Sequence, residues 1–145
     1  MRDAIGIGVG VASYGVSFGA LCIASGLSIL QAQTLSAAMF TGASQFALVG
    51  VLAAGGGAVS AIATSLLLGF RNMAYALRMN LLVKPSGLRR LLAAQLTIDE
   101  STAMGLGHLN GDDGEEGGRY AFWATGISVF VFWNLATLLG SVAAS

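Results

Sequence analysis

Long apolar runs, separated by short polar segments, dominate the chain, and no charged side chain occurs between Asp3 and Arg71. One helical crossing of a bilayer takes about 20 apolar residues. The runs therefore predict about five transmembrane helices joined by polar or glycine-rich turns. Their approximate bounds are 4–24, 35–54, a third span that starts near 58, 91–109 and 120–144.

Glycines recur four residues apart in the first predicted span, as the pairs Gly6/Gly10 and Gly15/Gly19. Small residues at this spacing form a flat stripe that lets two helices approach closely in a membrane. The spacing predicts that the first span packs tightly against a neighbouring helix along this stripe.

Polar residues interrupt the centre of the second predicted span, where Gly42, Ser44 and Gln45 follow one another closely. Such residues are costly at the middle of a bilayer unless they meet a partner. Glycine also weakens the helix locally, so the pattern predicts a break or a re-entrant turn near Gly42, with Ser44 and Gln45 facing the protein interior. Free backbone amides at a broken helix can hold a carboxylate.

Charged residues cluster in the third and fourth predicted spans. Arg71, Tyr75 and Arg78 follow the spacing i, i+4, i+7 and share one helical face. If the two spans form an antiparallel hairpin, Asp99 lies level with Tyr75. We therefore predict that Arg71 or Arg78 pairs with Asp99 or Glu100, because an unpaired charge is expensive inside a bilayer.

Two interpretations of this charge cluster remain open from the residues alone. The pair is either a static lock between two helices or a site near the cytoplasmic half of the bilayer. In the second case Arg71 holds a carboxylate, and Asp99 or Glu100 takes an amine or a proton.

Composition agrees with a membrane protein and excludes several function classes. Only 10% of residues are charged and the mean hydropathy is +0.76, whereas about a quarter of residues are charged in soluble domains. The net charge of zero gives no reason to expect nucleic-acid binding. Because no metal-binding, phosphate-binding or dinucleotide motif occurs, we predict no enzyme activity, no cofactor and no metal.

Orientation is predicted from the loops. The basic segment 84–90 should be cytoplasmic by the positive-inside rule, and the acidic segment 111–118 should form a flexible external loop. Counting back through three full spans places the N-terminus outside. One re-entrant segment near Gly42 reverses that placement.

Three motifs, in this order and spacing, resemble those of the AzlC family, and the resemblance covers essentially the whole chain. They are Phe40-Thr41-Gly42-Ala43-Ser44-Gln45-Phe46, Phe70-Arg71-Asn72-Met73-Ala74-Tyr75 and Leu96-Thr97-Ile98-Asp99-Glu100-Ser101-Thr102-Ala103. The family consists of bacterial inner-membrane, multi-pass proteins that export branched-chain amino acids together with a small hydrophobic subunit, AzlD. The resemblance thus implies the same substrates and an AzlD-like partner in the lipid bilayer.

Among the departures from the family pattern, two bear on function and domain organisation. Many members have histidine where this chain has Asn72, so a titrating role is excluded at this position. Family members also continue through further hydrophobic spans beyond the point that matches Ser145. Residues 1–145 are therefore expected to form a single transmembrane domain that is the N-terminal part of a larger family fold.

The sequence thus predicts an all-α, polytopic membrane protein that exports branched-chain amino acids, with proton coupling as the simplest energy source. The alternatives are a membrane channel and a non-transporting scaffold subunit locked by its ion pair. The predicted substrate-binding residues are Gly42, Ser44, Gln45, Arg71, Asn72 and Tyr75. The predicted coupling or ion-pair residues are Arg78, Asp99 and Glu100.

Overall fold

A computed structural model describes residues 1–109 and 111–145, and within these residues the chain contains helices and no strand. The all-α prediction is therefore confirmed. The helices of the described part are α1 (Arg2–Ala24), α2 (Ile29–Ala38), α3 (Ala43–Ala53), α4 (Ala58–Val83), α5 (Arg89–Gln95), α6 (Asp99–Leu109) and α7 (Gly114–Ala143). Two of them, α1 and α7, are long and apolar enough to cross a membrane.

The helices α1 and α7 form the centre of the bundle and lie side by side in the same direction. The Tyr120 hydroxyl near the start of α7 donates to the Met1 sulfur, 3.0 Å away. Near the other end, the Ser141 hydroxyl donates to the Gly19 carbonyl at 3.4 Å. This pairing buries the face of α7 that carries Trp133.

Close contact between α1 and α7 depends on glycine, but not on the whole predicted stripe. A Cβ atom at Gly8, Gly15 or Gly19 would press against α7, whereas one at Gly6 or Gly10 would meet nothing within 4 Å. The prediction was therefore right for Gly15 and Gly19 and wrong for Gly6 and Gly10. Spacings of seven and four residues keep Gly8, Gly15 and Gly19 on one face, and a spacing of five turns Gly10 away from it.

The second predicted span is broken, as the sequence indicated. The helix α2 ends at Ala38, α3 begins at Ala43, and Gly42 between them has a φ of +61°, a backbone conformation that suits glycine. The first half begins earlier than predicted, because Ser28 and Gln31 form a capping box that starts α2 inside the expected polar turn.

The fourth predicted span is also broken, and here the prediction of one continuous helix was wrong. The helix α5 ends at Gln95 and α6 begins at Asp99. The Ser101 hydroxyl accepts from the Ile98 N–H at 3.1 Å and donates to the Leu96 carbonyl at 2.6 Å. These side-chain bonds replace bonds of a continuous helical ladder, which explains the interruption.

The charged loops lie together at one end of the bundle, which we call the charged end. Lys84, just after α4, forms a salt bridge to Glu115 in the first turn of α7, with 3.0 Å between Nζ and Oε2. Arg119 pairs with Glu115 at 2.7 Å and donates from Nε to the Leu82 carbonyl at 2.8 Å. The helix α4 therefore ends where α7 begins and runs opposite to α1 and α7.

These contacts overturn two predictions about the loops. The basic and acidic segments lie at the same end of the bundle, whereas the sequence placed them on opposite sides. The acidic segment is also partly helical, since α7 already begins at Gly114. The error came from treating α5 and α6 as one crossing.

Both broken segments are hairpins that return to the end from which they start. The end of α6, at Leu109, lines one cleft together with Arg78 and Leu82 of α4, so α6 returns to the charged end. At the opposite end, Leu27 shares an apolar cleft with Leu52 and Ala58. Thus α2 leaves, and α3 returns to, an end whose loops, 25–28 and 54–57, carry no charged side chain. We call it the uncharged end.

Candidate substrate-binding site

A cavity of about 240 Å³ lies where the two helix breaks meet, half-way along the bundle. It is partly open and lined by both breaks and by α1, α4 and α7. Its lining residues are Val11, Tyr14, Phe40, Thr41, Gly42, Ala43, Phe46, Arg71, Ile98, Asp99, Glu100, Val129 and Trp133. Ligand sites for drug-sized molecules span about 300–1,000 Å³, so this cavity suits a smaller ligand.

An ion pair forms one wall of the cavity. The Arg71 Nη2 and the Asp99 Oδ2 lie 2.7 Å apart, and each side chain is 43% exposed. The predicted pairing between the third and fourth spans is therefore confirmed. Tyr75 lies beside the Asp99 carboxylate, as the matched depth required, but it does not line the cavity.

Arg78 lies apart from this pair. It lines the separate cleft at the charged end and makes no ion pair within residues 1–109 and 111–145. Two turns of α4 separate it from Arg71, and the acid that lines the same cleft, Glu115, is paired with Lys84 and Arg119.

Glu100 is the acid in the cavity that lacks a cation of its own. Glu100 lines the cavity and is half-buried. Within the described residues it forms no salt bridge, whereas Asp99 is paired with Arg71. Both acids lie in the first turn of α6, where the helix dipole favours negative charge.

The start of α3 supplies the opposite polarity. Gly42 and Ala43 line the cavity, and the first turn of α3 contains no acidic residue. The unsatisfied N–H groups of a helix start carry partial positive charge and attract anions. One helix start at the cavity therefore carries two carboxylates, whereas the other carries no acidic side chain.

Gln45 and Ser44 are buried near the break between α2 and α3 and do not line the cavity. Gln45 is fully buried, its Oε1 accepts from the Gly42 N–H at 3.1 Å, and its Nε2 donates to the Leu35 carbonyl at 2.9 Å. Ser44 is buried beside Gly69 of α4. Both face the interior, as predicted, but neither lines the cavity.

Asn72 also supports a break. Its Nδ2 donates to the Thr97 carbonyl at 3.4 Å, in the interruption between α5 and α6. Of the predicted site residues, the cavity lining therefore includes Gly42, Arg71, Asp99 and Glu100. The structure places Ser44, Gln45, Asn72, Tyr75 and Arg78 outside that lining.

The aromatic wall of the cavity was not predicted from the sequence. Phe46 and Trp133 lie with their ring centroids 6.2 Å apart, and both contact Phe18. Tyr14 lines the cavity from α1. A usable signal was present for Trp133, because it lies too deep in its span to belong to an interfacial belt of aromatic residues.

Broken helices whose ends converge on a polar cavity are typical of membrane transporters. The chain belongs to the AzlC family, whose model, described as AzlC protein, matches residues 6–145. This confirms the resemblance seen in the three motifs. The family is associated with branched-chain amino acid transport and works with AzlD. No curated protein and no solved structure matches the chain significantly.

Proposed function

We propose that this protein is a subunit that exports branched-chain amino acids across the bacterial inner membrane, together with a small AzlD-like subunit. The observation that carries the proposal is the central cavity, which combines two acids, one arginine, a helix start without acidic side chains and an aromatic wall. A zwitterion with an apolar side chain needs this combination of groups. The family membership supports the substrate class.

The charges suggest which end of the substrate each group holds. The substrate carboxylate binds at the start of α3 beside Gly42, with Arg71 as the nearby cation. The ammonium group binds Glu100, because Asp99 is already engaged by Arg71. This assignment chooses Glu100 from the two acids, Asp99 and Glu100, that the sequence left open for the amine.

The branched side chain then lies against the apolar part of the wall. Phe40, Phe46, Val129 and Trp133 line this part of the cavity. Burial of apolar surface stabilises the complex by about 25 cal/mol per Å². Glu100 is also our candidate for the coupling proton, since a carboxylate without a cation partner is the group in the lining best able to exchange one.

A transport measurement tests this proposal. Cells loaded with isotope-labelled valine or leucine should lose label several-fold faster when they express the chain with an AzlD-like partner than when they express either alone. Labelled glutamate, which carries an extra charge, is the matched control and should not be exported. A passive leak of both substrates would instead support a channel, and no change in either would support a scaffold.

The distribution of charge sets the orientation that we propose. Six of the seven cations lie at or near the charged end: Arg2, Arg78, Lys84, Arg89, Arg90 and Arg119. The seventh, Arg71, lies at the cavity. The positive-inside rule then places the charged end in the cytoplasm. Met1 lies at the same end, so the N-terminus is cytoplasmic. Counting three full spans back from the basic loop had placed it outside.

Thiol labelling from outside the cell tests this orientation. In a Cys22→Ala background, Gly57→Cys should react with a membrane-impermeant maleimide, whereas Ser86→Cys and Asp112→Cys should react only after the cells are permeabilised. Position 57 has open space around its Cβ, so the substitution itself should be neutral. Labelling at 112 without labelling at 86 would contradict the shared end, and labelling at both but not at 57 would invert the orientation.

A further inference from the structure

The two halves of the chain share a sequence pattern. The tripeptide Ser-Gly-Leu occurs at 25–27 and again at 86–88. Both of its glycines have positive φ, 84° at Gly26 and 54° at Gly87, and each tripeptide joins a long helix to a broken hairpin. A tyrosine precedes both tripeptides at the same separation, Tyr14 in α1 and Tyr75 in α4.

The helix breaks share a pattern as well. The sequence Ala-Ala-x-x-Thr spans 37–41 at the first break and 93–97 at the second. Gln45 and Ser101 then occupy the same position, the third residue of the second half-helix.

Gln45 and Ser101 make equivalent hydrogen bonds. Each accepts from the backbone N–H just before its half-helix, at 3.1 Å in both cases. Each also donates to a carbonyl that precedes its half-helix, that of Leu35 in α2 for Gln45 and that of Leu96 just after α5 for Ser101. Two different residue types thus close two breaks in the same way.

The two units point in opposite directions. The helix α1 begins at the charged end and is followed by a hairpin at the uncharged end, whereas α4 begins at the uncharged end and is followed by a hairpin at the charged end. The tips of the hairpins meet at the cavity, and the Gln95 Nε2 donates to the Ala37 carbonyl at 2.6 Å. This bond joins the end of α5 to the end of α2.

We propose that α1–α3 and α4–α6 are two inverted copies of one unit, and that their hairpin tips are the two gates of the cavity. Gln45 and Ser101 are the equivalent positioning residues that stabilise the bent tips of the outer and inner gates. The inference rests on the proposed membrane orientation. Inverted repeats of this type let a transporter open a central site to one side at a time.

A cavity reporter tests the gates without any need for transport. Val11 lines the cavity, and Val11→Cys in the Cys22→Ala background is labelled with an impermeant thiol reagent in right-side-out and inside-out vesicles. Gln45→Met should raise the labelling rate about tenfold in right-side-out vesicles only. Ser101→Ala should raise it about tenfold in inside-out vesicles only. Tenfold corresponds to about 1.4 kcal/mol of gate stability.

Matched variants separate gating from general damage. Thr34→Ala removes an exposed hydroxyl of α2 that bonds within its own helix, so it should change labelling on neither side. Ser101→Thr keeps the hydroxyl and should restore the parent rate. If Ser101→Ala does not fold, Asn72→Ala removes only the bond to the Thr97 carbonyl at the same tip and should shift labelling in the same vesicles by a smaller factor.

The experiment also separates failure of the two-gate inference from failure of the proposed substrate assignment. Increased labelling from one and the same side by both variants, or no increase by either in folded protein, would overturn the two-gate inference. The labelling result does not depend on efflux of any amino acid. A chain that shows two gates but exports neither valine nor leucine would keep the gates and lose the proposed substrate.

Discussion

Alanine at Gly19 should destabilise the protein far more than alanine at Gly10, although both glycines lie in α1. A Cβ atom at Gly19 would collide with the Thr137 carbonyl oxygen and lie 2.8 Å from the Ser141 nitrogen. Backbone atoms of α7 cannot move aside as a flexible side chain would. Overpacking of this kind typically costs about 1–3 kcal/mol and occasionally more, and separation of α1 from α7 would also disturb the cavity.

Gly10→Ala is the matched control, because a Cβ atom there meets nothing within 4 Å. It should be neutral or slightly stabilising, since alanine favours a helix over glycine by about 1 kcal/mol. The measurement is the fraction of detergent-solubilised protein that remains monodisperse after heating over a range of temperatures. Equal melting of the two variants would show that the α1–α7 contact is looser in solution than in this structure.

The charge pairing was predictable from the sequence because it depends on depth alone. Asp99 and Tyr75 lie equally far from Gly87 in the sequence, and Arg71 lies about one turn further along α4, so an antiparallel hairpin brings Arg71 within reach of Asp99. The cost of an unpaired charge then makes the pairing the favoured arrangement. The breaks differ in this respect. Gly42 indicated the helix break between α2 and α3 in the sequence. The break between α5 and α6 is stabilised by Ser101 and contains no glycine or proline that could indicate it.

The path of the chain could not be predicted from hydropathy. A hydrophobic segment of about 20 residues fits one full crossing and equally fits a hairpin of two half-helices, because both bury the same apolar side chains. The salt bridge between Lys84 and Glu115 settles the question for α5 and α6, and it joins loops far apart in sequence. Hydropathy likewise does not show that Tyr14 and Trp133 line the cavity, because their position there depends on the packing of α1 on α7.

Neutralising Glu100 should abolish most of the transport activity. Glu100→Gln keeps the size and hydrogen-bonding capacity of the side chain but removes the charge that we assign to the substrate ammonium group. A hydrogen bond to a charged group contributes about 2 kcal/mol, which corresponds to a roughly thirtyfold lower efflux rate at low substrate concentration. Glu116→Gln is the matched control, because Glu116 is exposed at the charged end and should leave efflux unchanged.

The Arg71–Asp99 pair should respond differently from Glu100. Asp99→Asn leaves Arg71 without its partner and should lower stability, and Asp99→Ala combined with Arg71→Ala should destabilise less than either change alone, because no isolated charge remains. Arg71→Lys keeps the charge but loses the planar fork, so the Michaelis constant for export should rise.

If Asp99→Asn abolishes export in well-folded protein while Glu100→Gln does not, the ammonium site is Asp99. If all three single variants export at the parent rate, the ion pair is only structural and the cavity is not the transport site.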